Sequence, residues 1–297
     1  MWTYSCRIAW RVGAVGSHSL IDASSIREVI VPSICAGVIA VIASVVVEKF
    51  GGRKGGAMAT IPSTVVPAAL GFYEVDQGVG FLKAMAVIPV GMLVSAGFLA
   101  LWRILPKRLH AFTSTSRLIV TSIVSVAAWL LFAAIVAEIQ RRVDPSPGGA
   151  IVWGVCAILT TLMLGLFLLR EKVDAPRGNR KVSPLQLFLR GLASSIAIGI
   201  ALMIAKSGMP VIGGLVSAFP AIFLTTMVGT WISQGHEVPV GAVAPMVMGA
   251  TSVGFFALMT IWLFPLLGPI LGLIAAWILA VSFVTVPLMY SMRSARG

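Results

Sequence analysis

The sequence predicts an all-α integral membrane protein of about nine transmembrane helices, arranged as two inverted four-helix repeats joined by a central helix. Three observations lead there. Apolar runs of roughly 20 residues, the length that crosses a bilayer as a helix, recur from end to end. Only 11% of the 297 residues are charged and 58% are hydrophobic, against about 25% charged in a soluble domain. A set of glycines and prolines recurs at a fixed offset of 158 residues.

Nine runs qualify, at roughly 29–47, 55–73, 84–102, 118–137, 151–169, 185–205, 211–232, 240–263 and 268–290. Mean hydropathy over the whole chain is +1.00. The short alternating segments of an outer-membrane barrel are absent from the sequence, so helices are expected throughout. Turn-forming residues separate the runs. Gly51-Gly52-Arg53-Lys54 divides the first from the second, and Asp144-Pro145-Ser146-Pro147-Gly148-Gly149 divides the fourth from the fifth. The division that follows is an N-terminal tail (1–28), a first repeat (29–140), a linker helix with a basic loop (141–184) and a second repeat (185–292). The tail carries Arg7 and Arg11 before any acid and is rich in serine. It reads equally as a cleaved organellar presequence or as an amphipathic surface helix.

The net charge of +12 follows from Lys and Arg lying between the spans, where they meet lipid headgroups. No nucleic-acid partner is expected. Seven basic residues, among them Arg27, Lys83, Arg141, Arg142 and Lys206, fall on the side of the N-terminal tail. The remaining fifteen of 22 fall on the other side, including Arg103, Lys107, Arg108 and a cluster from Arg170 to Arg190. The bias predicts a cytoplasmic C-terminus, in a bacterial inner membrane or an organellar one. Cys6, Cys35 and Cys156 are far apart, and His18, His110 and His236 do not cluster. Neither a disulfide framework nor a metal site is indicated, and no cofactor is expected.

The offset of 158 pairs Gly55 with Gly213, Gly56 with Gly214, Pro62 with Pro220, Gly71 with Gly229 and Gly91 with Gly249 in one ungapped frame. Each copy covers four spans. A shift of five spans sends the second copy through the membrane in the opposite direction, the inverted-repeat plan of secondary transporters.

The paired motif is expected to break a helix at half depth. Pro62, Pro67 and Pro220 lack the N–H that would reach the carbonyls of Met58, Ser63 and Val216. Small hydroxyls lie beside them: Thr60, Ser63 and Thr64, then Ser217, Thr225 and Thr226. A solute pathway is therefore expected along Gly55, Gly56, Thr60, Pro62, Ser63, Thr64 and Pro67 in one copy. In the other it would run along Gly213, Gly214, Ser217, Phe219, Pro220, Thr225 and Thr226. Glu48 and Lys206 sit at equivalent span ends, as solvated interfacial groups or as gates. Acids are absent from the span centres, so a carboxylate proton relay is not indicated. Small residues at every fourth position, Gly191, Ser195 and Gly199 and then Gly268, Gly272 and Ala276, permit close helix contact within the bundle or in a homodimer.

Residues 185–290 resemble the GlpM family of small four-helix inner-membrane proteins. Leu187-Phe188-Leu189, Ala205-Lys206-Ser207, Gly214-Leu215-Val216, Phe219-Pro220 and Val247-Met248-Gly249 carry the resemblance. Residues 29–140 match more faintly, through Gly56, Pro62 and Gly91. The family tends to place Thr after the proline, whereas Ala221 stands here, so the halves have diverged. The resemblance implies a membrane location and a fused pair of four-helix units.

Two functional expectations follow. The first is a permease for a small solute of unidentified chemistry, moving between the repeats. The second is a non-transporting membrane factor or scaffold for envelope lipid or polysaccharide synthesis. An enzyme is not expected, because no nucleophile, base or metal set shares one depth.

Overall fold

In the computed structural model the described residues are 23–50, 61–143, 146–170, 183–235 and 237–294. Among them every element is a helix. The order is α1 (Ala23–Phe50), α2 (Val65–Val75), α3 (Val79–Arg108), α4 (Ser114–Val143), α5 (Pro147–Arg170), α6 (Pro184–Lys206), α7 (Pro210–Ser217), α8 (Ala221–Gln234) and α9 (Glu237–Ala280), then a π-helical turn (Val281–Thr285) and α10 (Val286–Ser294). Residues 1–22 of the N-terminal tail, the Gly51–Lys54 punctuation, most of the basic loop, and Gly55, Gly56 and Thr60 lie outside the described residues.

Seven helical stretches are long and apolar enough to cross a membrane. The last of them, Glu237–Ser291, is 55 residues long. At about 1.5 Å per residue it would span more than twice the hydrocarbon thickness if straight. It is not straight. Gly268 has φ +77° and ψ 166°, a region open essentially to glycine alone, and the chain reverses there. Leu263 and Phe264 on one arm crowd Gly272 on the other. Ser252 shares a 2.9 Å hydrogen bond with Thr285, which pairs residues nearly equidistant from the turn. The predicted eighth and ninth spans are thus an antiparallel hairpin, and eight helical stretches are long enough to cross.

The second expected span, 55–73, is described only as the 11-residue α2. That helix is about 16 Å long, half the hydrocarbon core. The seventh, 211–232, is split into α7 and α8 by non-helical residues around Pro220.

The stacking direction of the helices follows from their contacts. Helices α1 and α6 lie antiparallel in close register. A Cβ on Gly37 would press on Ser195 Oγ and lie 2.8 Å from the Gly191 carbonyl; one on Gly191 would lie 2.7 Å from Val41, and one on Gly199 3.1 Å from Ser33 Oγ. The stripe Gly191, Ser195, Gly199 is therefore packed within the chain, as is Gly272 with the fully buried Ala276. At one end of this pair Lys206 donates to Glu28 at 2.6 Å. We call that end, with the start of α1, the N-terminal face, and the end with the α3–α4 turn the C-terminal face.

The core runs through α3, which is flanked by α5, α7 and α9. Phe81 stacks on Phe264 at 5.2 Å, and Tyr73 meets both rings edge-on, tying α2 and α3 to the α9 turn. Near the C-terminal face Trp102 and Trp231 meet at 6.0 Å. The outer surface is apolar in turn. Ile34 and Val38 on α1, Ile123 and Leu131 on α4, Met163 and Phe167 on α5 and Leu271 on α9 are all exposed. Such a belt exceeds the patches a water-soluble monomer shows and is compatible with an integral, multi-pass membrane protein.

Candidate functional site

Helices α2 and α8 both start at one cavity of about 210 Å³. Helix α2 starts at Val65 and runs to the N-terminal face, where Gly71 sits against Leu202 and Pro32. Helix α8 starts at Ala221 and runs to the C-terminal face, where Trp231 Nε1 donates to Ser114 Oγ at 3.3 Å. Their N-termini therefore face inward from opposite directions. The central residues of α1, α3, α6 and α9 close the walls.

Of the expected pathway residues, Ser63, Thr64, Ser217, Phe219, Pro220 and Thr226 line this cavity. Six pairs of residues 158 apart in sequence are both in its lining: Ile61 and Phe219, Ser63 and Ala221, Thr64 and Ile222, Val65 and Phe223, Ile88 and Met246, Ala40 and Ile198.

Other expected residues do different work. Gly213 and Gly214 let α7 approach α6 and α3, with added Cβ atoms 2.6 Å from the Ala201 carbonyl oxygen and 2.6 Å from Val87. Thr225 bonds back to the carbonyls of Ala221 and Ile222. Pro67 is buried in the first turn of α2, where its missing N–H has no helical acceptor to lose. Pro62 is buried, and its carbonyl accepts from Trp277 Nε1 at 3.1 Å.

The freed carbonyls are not where the prolines alone put them. Val216 O accepts from Phe219 N–H at 3.0 Å and Ser63 O from Val66 N–H at 3.4 Å, because the chain tightens into a three-residue turn at each break. At the second break it is the Ala218 carbonyl that accepts from another helix. Ser95 on α3 donates to it at 2.8 Å, and Trp129 on α4 donates to Ser95 Oγ at 3.0 Å. The Trp129 ring also meets Phe219 edge-on at 5.0 Å. The hydroxyls of Ser217 and Thr225 bond back within their own helices. A lone serine inside a long apolar helix is the only sequence trace of Ser95.

Arg190 changes the electrostatic reading. The sequence places it at the end of the basic cluster that begins at Arg170. It lies in the second turn of α6, is 6% exposed and lines the cavity. Arg103 is likewise 4% exposed and donates to the Leu168 carbonyl at 2.8 Å. The expectation that the basic residues lie between the spans is thus corrected for these two, which are buried within α3 and α6. Both arginines enter the bundle from the C-terminal face, where a long aliphatic stem carries the guanidinium inward. The cavity wall holds no carboxylate among the described residues. Lys206 does not face it: its ammonium pairs with Glu28, half-buried at the N-terminal face. Glu48 belongs to the last turns of α1, whose side chains lie outside the description.

A second space, a cleft of about 900 Å³, opens among α3, α4 and α7 toward the N-terminal face, with Asp76, Lys83, Glu138 and Arg141 on its walls. Trp129 lines the cleft and Phe219 lines the cavity, so this ring pair stands between the two. No group of His, Cys, Asp or Glu among the described residues could hold a metal ion. No family model, curated protein or solved structure matches the chain.

Proposed function

We propose that the chain is a membrane permease or exporter for a small solute, with its pathway between two inverted repeats. The observation that carries this reading is the meeting of two short helices, α2 and α8, N-termini inward, at one cavity inside the bundle. Interrupted helices of this kind form substrate sites in secondary transporters. The inverted repeat is supported by the α1–α6 register. Ser33 meets Gly199 and Val41 meets Gly191, and a shift of 158 exchanges these two contacts with each other. The cleft beyond Trp129 and Phe219 supplies the second half of a route, with that ring pair as its barrier. On this reading the GlpM-like resemblance covers both halves, and the basic bias puts the C-terminus in the cytoplasm of a bacterial cell or the equivalent organellar compartment.

Single cysteines at Ser63 and Ser217, in a background without Cys6, Cys35 and Cys156, test the route. Both should react with a membrane-impermeant thiol reagent, and a solute that permeates reconstituted liposomes should protect them. Two inert cysteines, together with no flux, would favour the scaffold role instead.

A further inference from the structure

The 900 Å³ cleft among α3, α4 and α7 is open sideways as well as toward the N-terminal face. Leu130 and Ala134 on its α4 edge and Met209 and Ile212 on its α7 edge are exposed. Ile135 and Ile139 continue the same apolar surface outside it, so in a bilayer these edges face lipid. The polar residues of the wall are Asp76, Lys83, Trp129, Glu138, Gln140 and Arg141. All but Trp129 lie at the N-terminal-face ends of α2, α3 and α4, and the Trp129 N–H is taken by Ser95. The deep half therefore offers water no partner. Left empty, it would forfeit the dispersion contacts of its lining; hydrocarbon can fill it. Its depth fits one leaflet. From Leu130 to Arg141 the α4 wall rises about 16 Å, against about 15 Å for half the hydrocarbon core.

The mouth complements an anion. Glu138 accepts from Arg141 at 2.8 Å and from Arg142 at 2.6 Å, so two guanidiniums share one carboxylate. Their side chains are 72% and 74% exposed. Arg142 donates to Glu138 only through Nε, which leaves its two terminal nitrogens for a headgroup oxygen. The Asp76 carboxylate is occupied by the N–H groups of Gly78 and Gly80, at 2.7 and 3.0 Å. The reachable surplus is positive, and guanidinium is the side chain best shaped to hold a phosphate. No part is assigned to Lys83.

We propose that this cleft seats one acyl chain of an anionic phospholipid from the leaflet on the N-terminal face. Its phosphate is held by Arg141 and Arg142, and its chain runs down α4 to Trp129. The proposal goes beyond the permease reading and stands without it, since it concerns what occupies the cleft rather than what crosses the membrane.

The test is photolabelling in vesicles, which needs no transport readout. The full-length protein is reconstituted in phosphatidylcholine with a trace of probe, either phosphatidylglycerol or phosphatidylcholine carrying a diazirine midway along one chain. Labelled peptides are read by mass spectrometry. The phosphatidylglycerol probe should label the cleft walls on α4 and α7 about fivefold more than the phosphatidylcholine probe, the effect of one basic residue beside an anionic head. The exposed Met163 and Phe167 on α5 should label equally with both. Arg141→Gln combined with Arg142→Gln should bring the cleft ratio to about one. Ala137→Trp, which fills the cleft, should remove most of the labelling on α7 and spare Met163 and Phe167. Should that variant fail to fold, Ala134→Trp at the exposed edge carries the same comparison. The proposal is overturned if both probes label the cleft equally, or if the double arginine variant keeps the preference. It is equally overturned if the filled cleft labels unchanged, or if the phosphatidylglycerol probe marks the cleft no more than Met163 and Phe167.

Discussion

Replacing Ser95 by Ala tests whether the break before α8 is held from outside its own helix. Ser95 Oγ donates to Ala218 O and accepts from Trp129 Nε1, at 2.8 and 3.0 Å, with Ser95 fully buried and Trp129 nearly so. The substitution leaves one carbonyl and one indole N–H without partners in an apolar interior. Each orphaned group costs about 1–3 kcal/mol, while polar contacts between membrane helices measured by double-mutant cycles average about 0.6 kcal/mol. The lower figure sets the floor, so the two lost bonds together should cost about 1–3 kcal/mol. Trp129→Phe removes the donor and keeps a ring against Phe219. The double variant should then be less destabilised than the sum of the two single ones, by about 1 kcal/mol. Reversible unfolding in mixed micelles, followed by tryptophan fluorescence with the Trp129→Phe background measured separately, reads these values. If Ser95→Ala changes stability by less than about 0.3 kcal/mol and the cycle shows no coupling, the break is self-supporting and the account of its cap is wrong.

Three further expectations concern the scaffold. Gly37→Ala should destabilise by about 1–3 kcal/mol, because its Cβ meets Ser195 Oγ and the Gly191 backbone. Gly97→Ala, with nothing within 4 Å of the new atom, should be neutral or gain up to about 1 kcal/mol from helix propensity; equal effects in unfolding assays would refute the α1–α6 packing. Gly268→Ala should cost about 1–3 kcal/mol, since an L-residue is strained at φ +77°, and a wild-type unfolding midpoint would show the hairpin turn to be misplaced. Glu28→Lys or Lys206→Glu alone should lower stability, and the double exchange should restore most of the loss; failure of the exchange to restore it would deny the pairing at the N-terminal face.

Much of the membrane fold is legible in the sequence because the determining signal is local. Twenty apolar residues in a row specify a spanning helix wherever they occur, and glycine and proline mark the breaks. Pro220, and Ser63 and Thr64 just after Pro62, line the cavity. What escapes the sequence is set by tertiary packing. Arg190 falls inside the expected sixth span, but that its side chain is buried against the cavity depends on the packing of α6. The Lys206 partner is Glu28, 178 positions away, because α1 and α6 run antiparallel. Of the second expected span only the part from Ile61 on is described, and its helix α2 is half a membrane thick. Ser95 and Trp129 carry no local mark of their task, which appears only when Ala218 is brought beside them.

The two breaks also differ in when they can be finished. As the chain emerges during synthesis, Ala218 arrives to find Ser95 and Trp129 already inserted, 123 and fewer positions earlier. Pro62 enters long before its indole donor Trp277, which follows 215 positions later. The first half therefore waits with an open carbonyl until the final hairpin folds back. A nascent chain arrested before residue 277 should hold the second break closed and the first one loose, which makes the terminal helix the latch on a structure otherwise already assembled.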